Sequence, residues 1–501
     1  MTRHLTRHYG RALSTALMLP FLLTFMTATS VHAATSPTPS VVMLSDIHFD
    51  PFHDPAKFAQ LRKATVTSWP TILDSPDSAN QAQDFAGLQK TCGARGIDTP
   101  NALLKSSVRA AQVQDPKPLF VTLSGDLMAH QFDCRFHTLA PGATAADYSA
   151  FAAKTVSFVA YELWLAFPDT PIYIALGNND SGCKDYSEDP NSAFLKADAI
   201  AISANAKSPH DRFMIEMEFG HHGDYSIMLP KPLGHTRLVV LQDIFESKKY
   251  STCSGTSTDA GSKAQLAWLR AQLASARKAH QTVWLMAHIP PGIDAYSTLT
   301  KAPNVCGGDA PVAFLSSDGL LKAITDYADV TRLALFGHTH MDELRIYKST
   351  TGGNFPQSFV PGKLVPSISP VNGNNPAFTI AEVDPSTASL KDYTVFAADN
   401  QTGVNTIWTK EYSYKKTYGL PDMSGISLEK LTSNLAADKA SETQASADYQ
   451  QNFFVGNKSK ISMVMKLAWP AYTCAMTQGT AEDYRSCVCP AATPVASTAT
   501  P

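Results

Sequence analysis

The chain has 501 residues, a formal net charge of −3, 44% hydrophobic residues and 17% charged residues. That length permits a large core with a smaller second unit. The charge balance excludes a nucleic-acid scaffold, and the composition excludes a highly charged disordered chain. A compact protein that catalyses or binds is the expectation.

Residues 1–33 read as a secretory signal peptide. Arg3, Arg7 and Arg11 precede an uncharged, largely apolar stretch at 12–28, and Val31-His32-Ala33 has the small-x-small form of a cleavage site. An uncleaved anchor is the competing reading, for which the apolar stretch is borderline in length. No later segment is long and apolar enough to span a membrane, so no stable membrane insertion is expected. The mature protein is expected to be secreted or periplasmic. Residues 34–40 form a Pro/Ser/Thr linker.

Residues 41–44 predict a buried strand, followed by Ser45-Asp46-Ile47-His48. Residues 54–99 are polar with weak periodicity and read as an insertion over the strand ends. A helix is predicted at 101–112 and a strand at 119–123, running into Ser124-Gly125-Asp126. A long helix at 145–167 leads to a strand at 171–176 and then to Gly177-Asn178-Asn179-Asp180. Strands at 225–229 and 237–241 precede an amphipathic helix at 262–279, with Leu266, Leu269 and Leu273 on one face. A strand at 283–286 ends in Ala287-His288. A helix is predicted at 311–326, then a strand at 331–336 that delivers Gly337-His338-Thr339-His340. Several β runs lie between 343 and 415, and Gly419-Leu420-Pro421-Asp422 opens a helical tail to 490. Alternating strands and helices argue for a layered α/β fold, with a mixed sheet or two sheets face to face. The domain reading is a catalytic unit at 41–415, a helical C-terminal region at 416–490 and a disordered tail at 491–501.

The cysteines at 92, 134, 183, 253, 306, 474, 487 and 489 are even in number and suit an exported protein with four disulfides. Their pairing is not readable from sequence.

Five strand ends are each followed at once by metal-capable residues: Asp46 with His48, Asp126, Asn178, His288, and His338 with His340. In layered α/β folds ligands bind beyond the carboxyl ends of strands, so side chains spread over nearly 300 positions can converge. Each residue alone has a bland reading as a turn former or core histidine; five matching strand ends do not. If the backbone stayed extended, His338 and His340 would point to one side. Carboxylate, imidazole and amide donors suit zinc, manganese or iron, and no cysteine belongs to the set. Seven ligands exceed one tetrahedral ion and suit two ions sharing a carboxylate. Such a pair, about 3.5–4 Å apart, activates a bridging water and clamps phosphoryl oxygens.

In this order, Asp-x-His, Gly-Asp, Gly-Asn-x-Asp, a lone His and Gly-His-x-His resemble the calcineurin-like metallophosphoesterase superfamily. Gly125-Asp-Leu-Met-Ala-His130, His288-Ile-Pro-Pro-Gly292 and Tyr418-Gly-Leu-Pro-Asp422 are similar to its acid sphingomyelinase-like branch, which includes endopolyphosphatases and secreted nucleotide phosphodiesterases. The resemblance implies a four-layer α/β/β/α sandwich with a helical C-terminal region. It implies a first metal held by Asp46, His48 and His340, a second held by Asn178, His288 and His338, and Asp126 bridging both. Two divalent ions are expected, zinc first, with manganese or iron as alternatives. One position departs from the pattern: the histidine that usually follows the motif asparagine is Asn179 here. Asparagine donates a hydrogen bond but is no acid at useful pH. His130 matches a family histidine and is the candidate replacement.

The implied function is hydrolysis of phosphodiester or phosphoanhydride bonds by a metal-bridging hydroxide, with His130 and Asn179 at the substrate. The expected partner is a phosphorylated small molecule, nucleotide, polyphosphate or lipid headgroup. The alternatives are a sphingomyelin phosphodiesterase-type lipid hydrolase and a metal-binding protein whose catalysis weakened at Asn179. The short spacing between signal peptide and first strand leaves no room for the saposin-like domain of sphingomyelinase, which argues against the lipid alternative.

Overall fold

A computed structural model describes residues 38–349, 358–457 and 465–489 of the protein. The predicted signal peptide, most of the linker and the predicted tail at 491–501 lie outside the described residues.

Two six-stranded sheets organise the chain. The first has the order β12-β11-β10-β1-β2-β3 and the second β4-β5-β6-β7-β9-β8. In the first, β1 (Ser40–Leu44), β2 (Phe120–Ser124) and β3 (Ile172–Ala175) run parallel. They are extended by the antiparallel meander β10 (Ala377–Val383), β11 (Leu390–Ala398) and β12 (Trp408–Ser413). In the second, β5 (Thr236–Val240), β6 (Thr282–Met286) and β7 (Thr331–Phe336) are parallel, and β9 (Phe359–Leu364) continues them. β4 (Tyr225–Met228) and β8 (Glu343–Lys348) are antiparallel edges. Parallel strands buried on both faces read as continuous apolar runs, which is why VVML and RLALF are legible as strands.

The period of two along β6 and β7 sorts side chains into two cores. Trp284, Met286, Leu333 and Leu335 face the first sheet and join its core, while Val283, Leu285, Ala334 and Phe336 join a second core. Trp284 meets Phe120 of the opposite sheet edge-on at 5.7 Å between ring centres, and its indole N–H donates to the Ala388 carbonyl. The second core includes Leu269 and Leu273 of helix Ala260–Lys278 and Leu320 and Ile324 of helix Gly319–Asp326. On the far side, helices Asn101–Gln114 and Ala145–Ala166 cover the first sheet. The result is the α/β/β/α layering, with the C-terminal helices Gly425–Ala437, Gln444–Phe453, Trp469–Thr477 and Ala481–Val488 packed beside it. No helix among the described residues is long and apolar enough to cross a membrane.

One expectation needs correction, and two helical segments carried no sequence signal. The helix predicted at 311–326 covers only Gly319–Asp326, because Ala313 bridges to Ile293 and Leu315 to Ser247 before it. The polar insertion at 54–99 is largely helical, with segments such as Phe58–Lys63 and Gln81–Thr91. A helical hairpin, Ala193–Ser203 with Pro209–His222, was not foreseen, since its apolar positions carry little periodic contrast.

All eight cysteines pair, as Cys92–Cys134, Cys183–Cys253, Cys306–Cys489 and Cys474–Cys487. The Asp342 backbone N–H donates to the Phe453 carbonyl, and Tyr412 donates to the Asp342 carboxylate at 2.7 Å. These bonds tie the residues just after the Gly337–His340 stretch to the C-terminal half.

Candidate metal centre

The five strand ends meet at one site. Asp46, His48, Asp126, His338 and His340 all have positive φ, between 46° and 71°. Non-glycine residues avoid this region, and such strain gathers at functional sites. It overturns the extended geometry assumed for the histidine pair. The left-handed turns send the two rings apart: His338 Nδ1 lies 2.9 Å from Asn178 Oδ1, while His340 Nε2 lies 3.1 Å from His48 Nε2 and 3.5 Å from Asp46 Oδ1.

Two groups result, with Asp126 between them. Asp126 Oδ2 is 3.4 Å from His48 Nε2 in the first group and 3.1 Å from His288 Nε2 in the second. Backbone acceptors fix the histidine tautomers. His48 Nδ1 donates to the Met128 carbonyl at 2.9 Å and His288 Nδ1 to the Ser124 carbonyl at 2.8 Å. A carbonyl only accepts, so each Nδ1 carries the proton and each Nε2 turns a lone pair toward Asp126. Asp46 accepts from Ser45 Oγ at 2.5 Å and from the His338 backbone N–H at 3.0 Å.

The fit to metal ions follows from what these atoms lack. The Nε2 of His288 is buried and makes no hydrogen bond. Lone pairs aimed at a carboxylate repel it unless a proton or a cation sits between. Without cations, burial opposes charge on His48 and His288, yet Asp126 and Asp46, joined by Asp98 at His48 and Asp243 at His288, together outweigh it and raise them to about 9 and about 10. Burial dominates at His338, helped by the charge on His288, and lowers it to about 3; burial also lowers His340 to about 3 against the pull of Asp46. Asp126 is held well below the usual carboxylate range, because His288 and His48 overcome the effect of burial. Buried oxygen and nitrogen donors in this proportion suit zinc, manganese or iron.

Glycines permit the close approach. A Cβ at Gly177 would strike the Asp126 carboxylate, and one at Gly337 would strike Ser45 Oγ and Asp46. Asp180, the acid of the Gly-Asn-x-Asp motif, accepts from the backbone N–H groups of Leu127, Met128 and Gly177 at 2.8–2.9 Å. It fastens the Asp126 loop to the Asn178 loop and does not face the cavity.

Asn179 lines the cavity and also braces Asp126. Its backbone N–H donates to Asp126 Oδ1 and its side-chain amide to Asp126 Oδ2. His130 stacks on His48 with 4.0 Å between ring centres and lines the cavity above the site. Its Nδ1 and its backbone N–H both bond to the buried carboxylate of Asp98, each at 2.9 Å. Arg135 lies between Asp98 and Asp50 and pairs with the latter. Asp98 was missed in the sequence: it sits in no motif, and its link to His130 exists only in the fold. Asp185, which accepts from the Asn178 amide at 2.8 Å, was also missed; burial, outweighing that bond, raises it to about 6.

The site opens into a cavity of about 850 Å³. Tyr186, Phe314, Phe453, Phe454 and Tyr472 contribute aromatic surface to its walls, so the C-terminal region helps build the pocket.

Two sheets delivering carboxylate, imidazole and amide groups to one paired centre define a metallophosphoesterase. Residues 39–342 match the calcineurin-like phosphoesterase family and residues 357–493 match the acid sphingomyelin phosphodiesterase C-terminal region. The chain belongs to the calcineurin-like phosphoesterase family, whose fold implies a site for two metal ions. It is similar to the human acid sphingomyelinase-like phosphodiesterase 3b, 27% identical over 461 residues, which spans 89% of each chain. It is also similar to sphingomyelinase phosphodiesterase D of Dictyostelium discoideum, 25% identical over 79% of this chain and 81% of that one. A cyclic GMP-AMP phosphodiesterase of Rattus norvegicus is 27% identical over 39% of this chain and 42% of its own.

Proposed function

We propose that the protein is a secreted or periplasmic hydrolase of phosphodiester or phosphoanhydride bonds that works with two divalent ions, zinc in the first instance. Asp46, His48 and His340 hold the first ion, Asn178, His288 and His338 the second, and Asp126 is shared. The observation that carries this reading is the pair of Nε2 lone pairs, on His48 and His288, converging on one carboxylate oxygen. Bound there, two ions supply Lewis acidity toward phosphoryl oxygens and lower the pKa of water. The named activities of the relatives, which include a sphingomyelinase and a cyclic dinucleotide phosphodiesterase, support a diester over a simple monoester. Four disulfides support an oxidising compartment.

The chain's own residues divide the remaining work. Asp126 is oriented by Asn179, and the Asn178 amide is turned by Asp185 so that its oxygen faces His338. His130, held by Asp98 through Nδ1, presents Nε2 for a proton to the leaving oxygen. The test is hydrolysis of bis-p-nitrophenyl phosphate with added zinc or manganese. Turnover that is lost in Asp126→Asn is the expected result. Absence of turnover on this substrate, nucleotides and polyphosphate, with no effect of Asp126→Asn on metal content, would sink the reading.

A further inference from the structure

A single buried cation links two parts of the chain that carry the second group of ligands. Arg345 lies on the edge strand β8, shortly beyond His340, and is only 2% exposed. Its Nε donates to Glu343 Oε1 at 2.8 Å, and its Nη2 lies 2.7 Å from the same oxygen. Nη1 donates to the Pro291 carbonyl at 3.3 Å and Nη2 to the Ile293 carbonyl at 3.1 Å. The guanidinium carbon sits 5.2 Å from the centre of the Phe314 ring.

These partners belong to the frame of the metal centre. Asp243 holds the start of the loop after His288, accepting the N–H groups of His288 and Ile289. Beyond it, Pro290 and Pro291 have no N–H to fasten the chain. The loop is held by its carbonyls instead. Those of Pro291 and Ile293 accept from Arg345, and that of Gly292 accepts the Phe314 backbone N–H at 3.1 Å. Gly292 has a φ of +111°, and a Cβ there would come 2.9 Å from Arg345 Nη1, so the loop is shaped around the guanidinium. Phe314 in turn stands edge-on to the His338 ring, with 5.6 Å between centres. One side chain thus reaches from the loop after His288 to the ring packed on His338.

For stability alone, apolar side chains of similar volume commonly serve as well as a buried ion pair. What they cannot supply is a rigid planar fork with several donors and a flat face for a ring. We propose that Arg345 is a positioning residue for the second ion: it locks the loop after His288 to the Phe314 ring, and so fixes where His288 and His338 present their nitrogens. This rests on the reading of the centre as a two-ion one. The first group is fixed by other partners, His48 by the Met128 carbonyl and Asp46 by Ser45 Oγ. Disturbing Arg345 is therefore felt by one ion and not by the other.

Truncating Arg345 alone would strand the Glu343 carboxylate in the interior, so gentler variants carry the test. Arg345→Lys keeps the charge and loses the fork. Arg345→Met combined with Glu343→Gln removes both charges at similar volume. Phe314→Leu leaves the ion pair intact and cuts the link to His338. For the native full-length protein and each variant, chelator competition reads zinc affinity, anomalous diffraction at the zinc edge reads the occupancy of each site, and near-UV circular dichroism checks the packing. Hydrogen-bond partners of metal ligands are worth about 10–100-fold in affinity, and Arg345 acts one step further out, so the second ion is expected to bind about tenfold more weakly in both arginine variants, with the first unchanged. Phe314→Leu is expected to show the same selectivity with a smaller loss. On bis-p-nitrophenyl phosphate, kcat falls at limiting zinc and recovers at saturating zinc. Equal loss of both ions in the natively packed variants, a loss confined to the first ion, or no loss at all overturns the proposal and leaves the two-ion reading standing. Native protein that binds fewer than two ions removes that reading and the proposal with it.

Discussion

Asn179 grips Asp126 at both carboxylate oxygens, with its backbone N–H on Oδ1 and its side-chain amide on Oδ2, each at 2.9 Å. Oδ2 is the same oxygen that faces His48 and His288. Asn179 is therefore a brace on the carboxylate proposed to be shared by the two ions. Its hydrogen bonds fix the carboxylate and spread its charge, as the hydrogen-bond partners of ligands do at metal sites.

Asn179→Ala removes the side-chain bond and keeps the backbone one. Metal affinity is expected to fall by about 10–100-fold, read by competition with a chelator and by metal content after dialysis. Asn179→Asp places a second negative charge against Asp126 and is expected to perturb the site more than alanine does. If Asn179→Ala bound both ions as tightly as the native protein, the brace would have no role.

Asp98 is buried and accepts from His130 at two atoms, so it sets both the ring's position and its tautomer. Asp98→Asn keeps the shape but can satisfy Nδ1 only in one amide orientation. Hydrolysis is expected to slow by about 10–100-fold for alkyl leaving groups, and less for p-nitrophenolate, which needs no proton. The discriminating measurement is the dependence of rate on leaving-group pKa, which steepens in Asp98→Asn. An equal loss across leaving groups would make Asp98 purely structural.

Glu188 is buried, and burial, only partly offset by hydrogen bonds from Ser192, Gly182 and Asp189, raises it to about 7 from 4.5. A carboxyl with a raised folded pKa favours the native state while protonated. Its contribution is fully present below about 4.5 and is lost as pH rises through about 7. Glu188→Gln is permanently neutral. Relative to native protein, the variant is expected to gain stability across that window, by about 1–3 kcal/mol at its upper end. Melting temperatures at pH 4.5 and 7.5 test this, and parallel profiles for the two proteins would contradict it.

The sequence made the centre legible where chemistry coincides with position. Asp46, Asp126, Asn178, His288 and His340 each follow an apolar strand, so strand ends alone grouped them. Asp98 escaped because its partner lies 32 residues away across a loop with no periodic signal. The direction of the histidine pair escaped because positive φ at His338 and His340 is imposed by tertiary contacts such as the bond from the His338 N–H to Asp46. Asp180 was visible in its motif, yet its task of joining two loops through backbone N–H groups is a property of the fold. The hairpin at 193–222 is a case where a helical pair carries exposed Ile200, Phe213 and Met217 alongside its buried face, which blurs the pattern.

The proposed ligand set couples metal release to proton uptake. Without ions, burial opposes charge on His48 and His288, but Asp126 and the neighbouring carboxylates together raise them to about 9 and about 10, so both are protonated at neutral pH. Each must lose that proton from Nε2 before it can coordinate. Apparent affinity is therefore expected to climb with pH from about 6 to 9, with a slope approaching about two decades per pH unit for the pair of ions, and to level off near 10. His338 and His340, lowered to about 3 chiefly by burial, are already neutral and add nothing to the slope. The measurement is chelator competition at several pH values, alongside proton uptake on adding EDTA in weak buffer at pH 7.5. A flat profile would mean that the Nε2 atoms of His48 and His288 are not the atoms that meet the metal. In His288→Asn the steep region is expected to lose about one decade per pH unit, because one of the two displaced protons is gone.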